Sequence, residues 1–210
     1  VQEMASLTAT AFDLADIYRM PAMLLADGAL GQMMEPVDFS AFEKHEIPEK
    51  PWATVGHKNA REHNIVNSLF IDPQVLEDSV RERYKRYDMV EEKEVRYEEF
   101  CTDDADIVLV AFGITARICK SAVTAAREAG IKAGLLRPIT LWPFPKKPIA
   151  ALCDHAKALL SVEMSMGQMV DDVRLAVNGK KPVYFYGRTG GMIPSVEEVT
   201  AEIQKLAAAL

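Results

Sequence analysis

The chain has 210 residues, 49% of them apolar and 26% charged, enough to bury a core in one domain or two small ones and unlike a disordered polypeptide. A formal net charge of −7 supplies no basic footprint for nucleic acid or an anionic membrane, and no apolar run approaches the roughly 20 residues that span a bilayer. Cys101, Cys119 and Cys153 share no Cys-x-x-Cys spacing, which excludes a zinc ribbon or iron–sulfur cluster built from this chain alone and points to reduced thiols in the cytoplasm.

Met4, Leu7, Ala11, Leu14 and Tyr18 recur at spacings of three and four, the apolar face of a helix that Met20-Pro21 ends. Val1 already lies inside this pattern, so the expectation is a portion of a longer polypeptide. Ala22–Ala26 reads as a short, wholly apolar strand whose covering partners are not all in this chain. Between Glu35 and Trp52 three prolines break any periodicity, which predicts a linker or an arm hugging a surface. A long helix follows Asp72, with Pro73 at its first position and the pairs Glu77/Arg81 and Glu82/Arg86 at i,i+4. Its apolar stripe of Leu76, Val80, Tyr84 and Tyr87 is thin, as in a helix lying on a surface.

From Asp104 the pattern becomes regular. Strands are predicted at 105–112, 132–136, 158–162 and 183–186, and helices at 115–129, 147–155, 168–177 and from Ser195, where Glu198 completes a capping box. Alternation of this kind means parallel pairing, so residues 104–210 are expected to form a four-stranded, open, doubly wound α/β domain.

One short pattern occurs twice. Leu24–Ala26 is followed by Asp27 and then Gly31-Gln32-Met33, and Leu160–Val162 by Glu163 and then Gly167-Gln168-Met169. The repeat is either a shared structural role or a coincidence in a chain with 10 methionines. Polar groups just after parallel strands gather on the carboxyl edge of a sheet, where ligands are met. Gly113, Glu163, Gln168 and Arg188 are the candidate ligand-binding residues on that ground.

The loop Gly187-Arg188-Thr189-Gly190-Gly191 could offer N–H groups and a guanidinium to a phosphate, but it matches neither a Walker loop nor Gly-x-Gly-x-x-Gly. A tight turn packed at an interface is the competing reading. Glu163 could act as a general base, cap a helix or pair with Arg188. His57 and His63 stand in a polar segment without metal-ligand spacing, and no Ser/His/Asp or Cys/His set is ordered for nucleophilic catalysis. No catalytic residue and no metal ligand is assigned. Asp27-Gly28 falls short of the Gly-Asp-Gly and paired Asn of thiamine-diphosphate enzymes, because Ala26 stands first and the stretch Val55–Ala60, some thirty residues on, offers only Asn59.

Four blocks carry a family resemblance: Pro21–Gly28 with Leu30–Pro36, Arg137–Phe144, Val162–Met169 and Tyr186–Pro194. Through them the whole chain resembles the α subunit of 2-oxoacid:ferredoxin oxidoreductases, nearest the branch for 2-oxoisovalerate (3-methyl-2-oxobutanoate, a ketoisovalerate). The resemblance implies that residues 1–35 are the remnant of a domain that helps bind the thiamine pyrimidine. It makes 36–103 a connecting arm with a long surface helix, and 104–210 a domain like the transketolase C-terminal domain. It implies a multisubunit complex with β, γ and possibly δ subunits that decarboxylates a 2-oxoacid, forms acyl-CoA from coenzyme A and reduces ferredoxin. Thiamine diphosphate, magnesium and iron–sulfur clusters would lie on other subunits or other segments. This chain would hold no cofactor and no catalytic residue, and its two Gly-Gln-Met turns would lie at interfaces. The alternatives are a stand-alone nucleotide- or CoA-binding α/β module and an interaction domain of another thiamine diphosphate enzyme.

Overall fold

A strand apolar on both faces must be covered on both, and β2 (Ile107–Val110) meets that demand at the centre of the fold. In the computed structural model, which describes residues 1–210, the chain divides into two units, Val1–Val90 and Glu91–Leu210. The second unit contains β1 (Tyr97–Phe100), β2, α4 (Gly113–Glu128), β3 (Ala133–Pro138), α5 (Lys146–Leu152), β4 (Ala158–Glu163), α6 (Met169–Val177), β5 (Val183–Gly187) and α7 (Val196–Ala209).

The sheet order is β1-β3-β2-β4-β5, with β2, β3, β4 and β5 parallel and β1 antiparallel at the edge. Successive side chains of a strand point to opposite faces. Ile107 and Leu109 accordingly enter a core with Val123 of α4 and Ile203 of α7, whereas Val108 and Val110 enter one with Ile149 of α5 and Val173 of α6. The predicted α/β alternation is realised with element ends shifted by a few residues at most. Gly130 takes the left-handed conformation after α4 (φ 82°), and Ser195 with Glu198 forms the capping box of α7.

The sheet has one strand more than the sequence reading provides. Tyr97-Glu98-Glu99-Phe100 is half acidic and lacks the apolar signature of a strand, yet an edge strand tolerates charge on its open side. Glu98 faces Arg137 across the pair, at 3.1 Å from its Nε, and also takes Lys120 at 2.7 Å, while Phe100 packs on the core. Two backbone N–H groups, of Ile139 and Thr140, donate to the carbonyl of Arg96 and seat the strand's start.

The first unit contains α1 (Gln2–Tyr18), a one-turn α2 (Gly28–Gln32), a 3₁₀ turn (Phe39–Ala41) and α3 (Pro73–Lys93), which continues into the second unit. Asp72 caps α3 by accepting from Gln74 and Val75, and Glu77 pairs with Arg81 as predicted. Glu82 pairs with Lys85 instead of Arg86, at 2.7 Å. The predicted strand Ala22–Ala26 is not formed. No segment of the chain supplies the ladder hydrogen bonds a strand requires, and Met23 and Leu25 are exposed.

The arm after α1 runs beside it in the same direction. Val1 meets Glu35, Gln2 meets Asp38, Asp13 meets His45, Asp16 meets Lys50, and Arg19 lies over the ring of Trp52. Only Thr10 and Val90 of this unit are buried, so its order rests on polar ties rather than on a core.

Gly134 in β3 tests the sheet. A Cβ there would come within 2.5 Å of the Cys101 carbonyl and 3.0 Å of the Ala105 Cβ, both fixed by the β1–β2 connection. Gly134→Ala is expected to destabilise the chain by roughly 1–3 kcal/mol through overpacking, read as a lower urea midpoint at an unchanged slope.

Candidate functional site

The chain leaves β2 through α4 to one side of the sheet and returns through α5 to β4 on the other. The strand order therefore reverses between β2 and β4, and in open α/β sheets ligands bind at the carboxyl end of such a point. Gly113 lies on one side of it and Glu163 on the other.

Glu163 ends β4 and is only 3% exposed. Its Oε1 accepts from Ser161 Oγ at 3.1 Å and Val170 N at 2.8 Å; its Oε2 accepts from Ser165 Oγ at 2.9 Å and from Gln168 N and Met169 N at 3.0 Å each. Burial is the largest single influence on this carboxyl and pushes its pKa up. The backbone N–H groups of Gln168, Val170 and Met169, with the Ser165 hydroxyl, together outweigh it and hold the group below the usual glutamate value. A carboxylate has about four lone-pair sites, and five donors fill them. Glu163 is thus an ionised cap on the first turn of α6, with no remaining capacity for a substrate proton.

The other candidates fall around it. Gln168 is brought to Glu163 by its backbone N–H, while its side chain is exposed. Arg188 donates its backbone N–H to the Glu163 carbonyl at 3.1 Å, but its guanidinium turns to Glu198 in the capping box of α7. The alternative pairing of Arg188 with Glu163 is therefore not made. Gly113 heads α4 with φ 59°, a conformation that favours glycine, in a separate connection.

Gly187 serves packing between loops. A Cβ on it would collide with the Ser165 carbonyl and the Phe185 ring, so glycine lets the 164–168 loop lie directly on the end of β5. Gly190 and Gly191 have positive φ, and Met192 N closes the turn onto the Thr189 carbonyl. The geometry is a tight, exposed turn whose one guanidinium is already engaged. Arg137, at the end of β3, and Thr140, just after it, are likewise tied to Glu98 and to the Arg96 backbone.

The repeated pattern has a shared element and a difference. Asp27 Oδ1 accepts from Leu30 N at 2.8 Å and caps α2, as Glu163 caps α6, so in both copies the acid closing the apolar run caps a helix. In the first copy Gly31-Gln32 ends the helix; in the second Gly167-Gln168 precedes it. Ser161 and Ser165 were missed as partners of Glu163. Ser161 lies two residues before it in an otherwise apolar strand, hence on the same face, and that polar intrusion was the available signal.

Residues 105–199 match the family model for pyruvate:ferredoxin oxidoreductase core domain II. The chain is 45% identical over 99% of its length to the ketoisovalerate oxidoreductase subunit VorB of Methanothermobacter marburgensis, and 30% identical over 98% to the 2-oxoglutarate synthase subunit KorA of Methanothermobacter thermautotrophicus. Over nearly its whole length the chain is thus similar to subunits of 2-oxoacid:ferredoxin oxidoreductases. It spans 58% of the length of the VorB relative and 61% of KorA. The fold matches a 2-oxoglutarate:ferredoxin oxidoreductase from Magnetococcus marinus, solved with 2-oxoglutarate, coenzyme A and succinyl-CoA bound. That match has a TM-score of 0.75 and 18% identity, and covers 95% of this chain and 40% of that one.

The donor set present does not fit magnesium and thiamine diphosphate. Asp27 is committed to capping α2, Asn59 is the one Asn in Val55–Ala60, the next two (Asn64 and Asn67) are engaged by backbone groups, and no three His, Cys, Asp or Glu side chains converge as a metal cluster would require. Burial pushes the thiols of Cys119 and Cys153 up, which keeps both protonated and poorly nucleophilic. No helix is long and apolar enough to cross a membrane.

Glu163→Gln replaces an acceptor by an amide whose NH₂ faces donors. It is expected to cost roughly 2–4 kcal/mol at neutral pH, through lost charge-assisted hydrogen bonds and an unmatched donor. Because the folded-state pKa lies below the unfolded value, the wild-type advantage is present above the ordinary glutamate pKa and falls away as pH drops through the folded value. Urea unfolding of both proteins across the acidic range should show the gap narrowing in that direction.

Proposed function

We propose that this chain forms part of the α-type subunit of a cytoplasmic 2-oxoacid:ferredoxin oxidoreductase complex. In this reading the complex takes 2-oxoisovalerate and coenzyme A, releases carbon dioxide, forms the branched acyl-CoA and delivers the two electrons to ferredoxin. The observation that carries it is the 45% identity to a ketoisovalerate oxidoreductase subunit over nearly the whole chain, well above the 30% to a 2-oxoglutarate synthase subunit.

The segment's own contribution is structural. Residues 1–35 are assigned to the end of a pyrimidine-type domain and 36–103 to a connecting arm. Residues 104–210 are assigned to the transketolase-type domain, which takes its edge strand β1 from the segment before it. Thiamine diphosphate, magnesium and iron–sulfur clusters are assigned to β, δ or other segments of the complex, with γ completing it. What supports this division is the saturated state of Glu163 and the engagement of Arg188 by Glu198, which leave the sheet edge without a free acid–base pair. A catalytic site needs its groups held jointly at contact distance.

Purified alone, the chain should give no heat with thiamine diphosphate and magnesium in calorimetry, and no dye reduction with 2-oxoisovalerate and coenzyme A. The complex reconstituted with its partner subunits should reduce dye with 2-oxoisovalerate in preference to 2-oxoglutarate. Micromolar cofactor binding by the chain alone would overturn the division of roles, and a preference for 2-oxoglutarate the substrate assignment.

A further inference from the structure

We infer that the groove between α5 and α6 is a docking surface for an acidic segment of a partner protein, an inference independent of the reaction assigned above. The groove is lined by Lys146, Lys147 and Ala150 from α5 and by Leu175, Ala176 and Asn178 from the end of α6. Three features set it apart from ordinary solvated surface.

The first is charge. Lys146 and Lys147 occupy the first turn of α5, where the helix dipole disfavours cations, and that turn has no acid to offset them. Lys180 and Lys181, just past α6, lie close enough to Cys153 at the end of α5 to act on its thiol electrostatically, with Asp154 beside it acting in the opposite sense. None of these four lysines has a carboxylate within ion-pair distance, whereas Lys120, Lys132, Lys157 and Arg127 of the same unit all do. The second is composition. Leu175 is 73% exposed at the groove, although α6 turns Met169, Val170, Val173 and Val177 inward. The third is contrast. The chain carries a net charge of −7, so lysines without an ion-pair partner on α5 and just past α6 stand out against an acidic background.

Charge complementarity names the occupant. Carboxylates of a partner segment relieve the repulsion among the lysines, and a large apolar side chain between them covers Leu175, Ala150 and Ala176. Apolar contact supplies the anchor, and the charges supply steering and register.

The test uses the full chain and a fluorescein-labelled peptide of glutamate and aspartate residues around two central leucines, followed by fluorescence anisotropy. Binding should weaken at least ten-fold in Lys146→Glu/Lys147→Glu, and several-fold in Leu175→Ser or when the peptide leucines become serine. It should also weaken as ionic strength rises. These side chains are exposed, so the variants should keep the wild-type circular dichroism and Tm; Lys180→Glu/Lys181→Glu provides a second charge reversal. No binding to wild type, or equal binding to wild type and the double variant, overturns the inference. So does Lys146- and Lys147-dependent binding to phosphatidylserine vesicles without binding to the peptide, which would make the face a membrane contact.

Discussion

Five hydrogen bonds converge on the two oxygens of Glu163, from two serine hydroxyls and three consecutive backbone N–H groups. The rest of the sheet edge is arranged around that convergence. The first turn of α6 is aimed at the end of β4 because its orphan donors must find an acceptor, and little solvent reaches the Glu163 carboxylate. The 164–168 loop is drawn inward with it, which brings the Ser165 carbonyl onto Gly187 and excludes any side chain there. Arg188 is then carried past the site to Glu198, which links the end of β5 to the start of α7. An internal carboxylate at a helix N-terminus occupies the place where other α/β folds receive a phosphate. The edge is built to hold itself together.

Much of the second unit was legible in the sequence because its residues obey two plain rules. The wholly apolar runs of β2 and β4 announce strands buried on both faces, and Gly130 and the Ser195–Glu198 box punctuate helices whose ends could be named from one residue each. β1 was illegible for a physical reason. A strand at a sheet edge is stabilised by its neighbour's backbone and by cross-strand pairs such as Glu98 with Arg137, and neither is a property of Tyr97–Phe100 taken alone. The opposite error at Ala22–Ala26 has the same root. Apolarity there was real, but a strand is a relation between two segments, and the sequence shows only one.

The positions of the candidate residues were legible in the sequence, and their contacts were not. Gly113, Glu163, Gln168 and Arg188 do fall at strand ends or helix starts on the parallel strands, as the alternation of elements required. Whether Glu163 was a base, a cap or a partner of Arg188 depended on which donors lay within 3 Å, and side-chain direction settles that. Arg188 illustrates the point: the residue that takes its guanidinium is ten positions away, inside a helix cap that looked complete without it.

The arm beside α1 has a mechanical consequence. From Val1 to Arg19 the helix advances roughly 27 Å at about 1.5 Å per residue. Glu35 to Trp52 covers the same stretch, yet as a fully extended chain it would reach about 56–61 Å. The bends at its prolines and the 3₁₀ turn at Phe39–Ala41 take up the difference. The arm therefore stores slack of about its own folded length, held by contacts that are individually weak and exposed. Under tension it would unhitch one contact at a time and lengthen roughly twofold, behaving as a compliant tether whose reach is set by contour length.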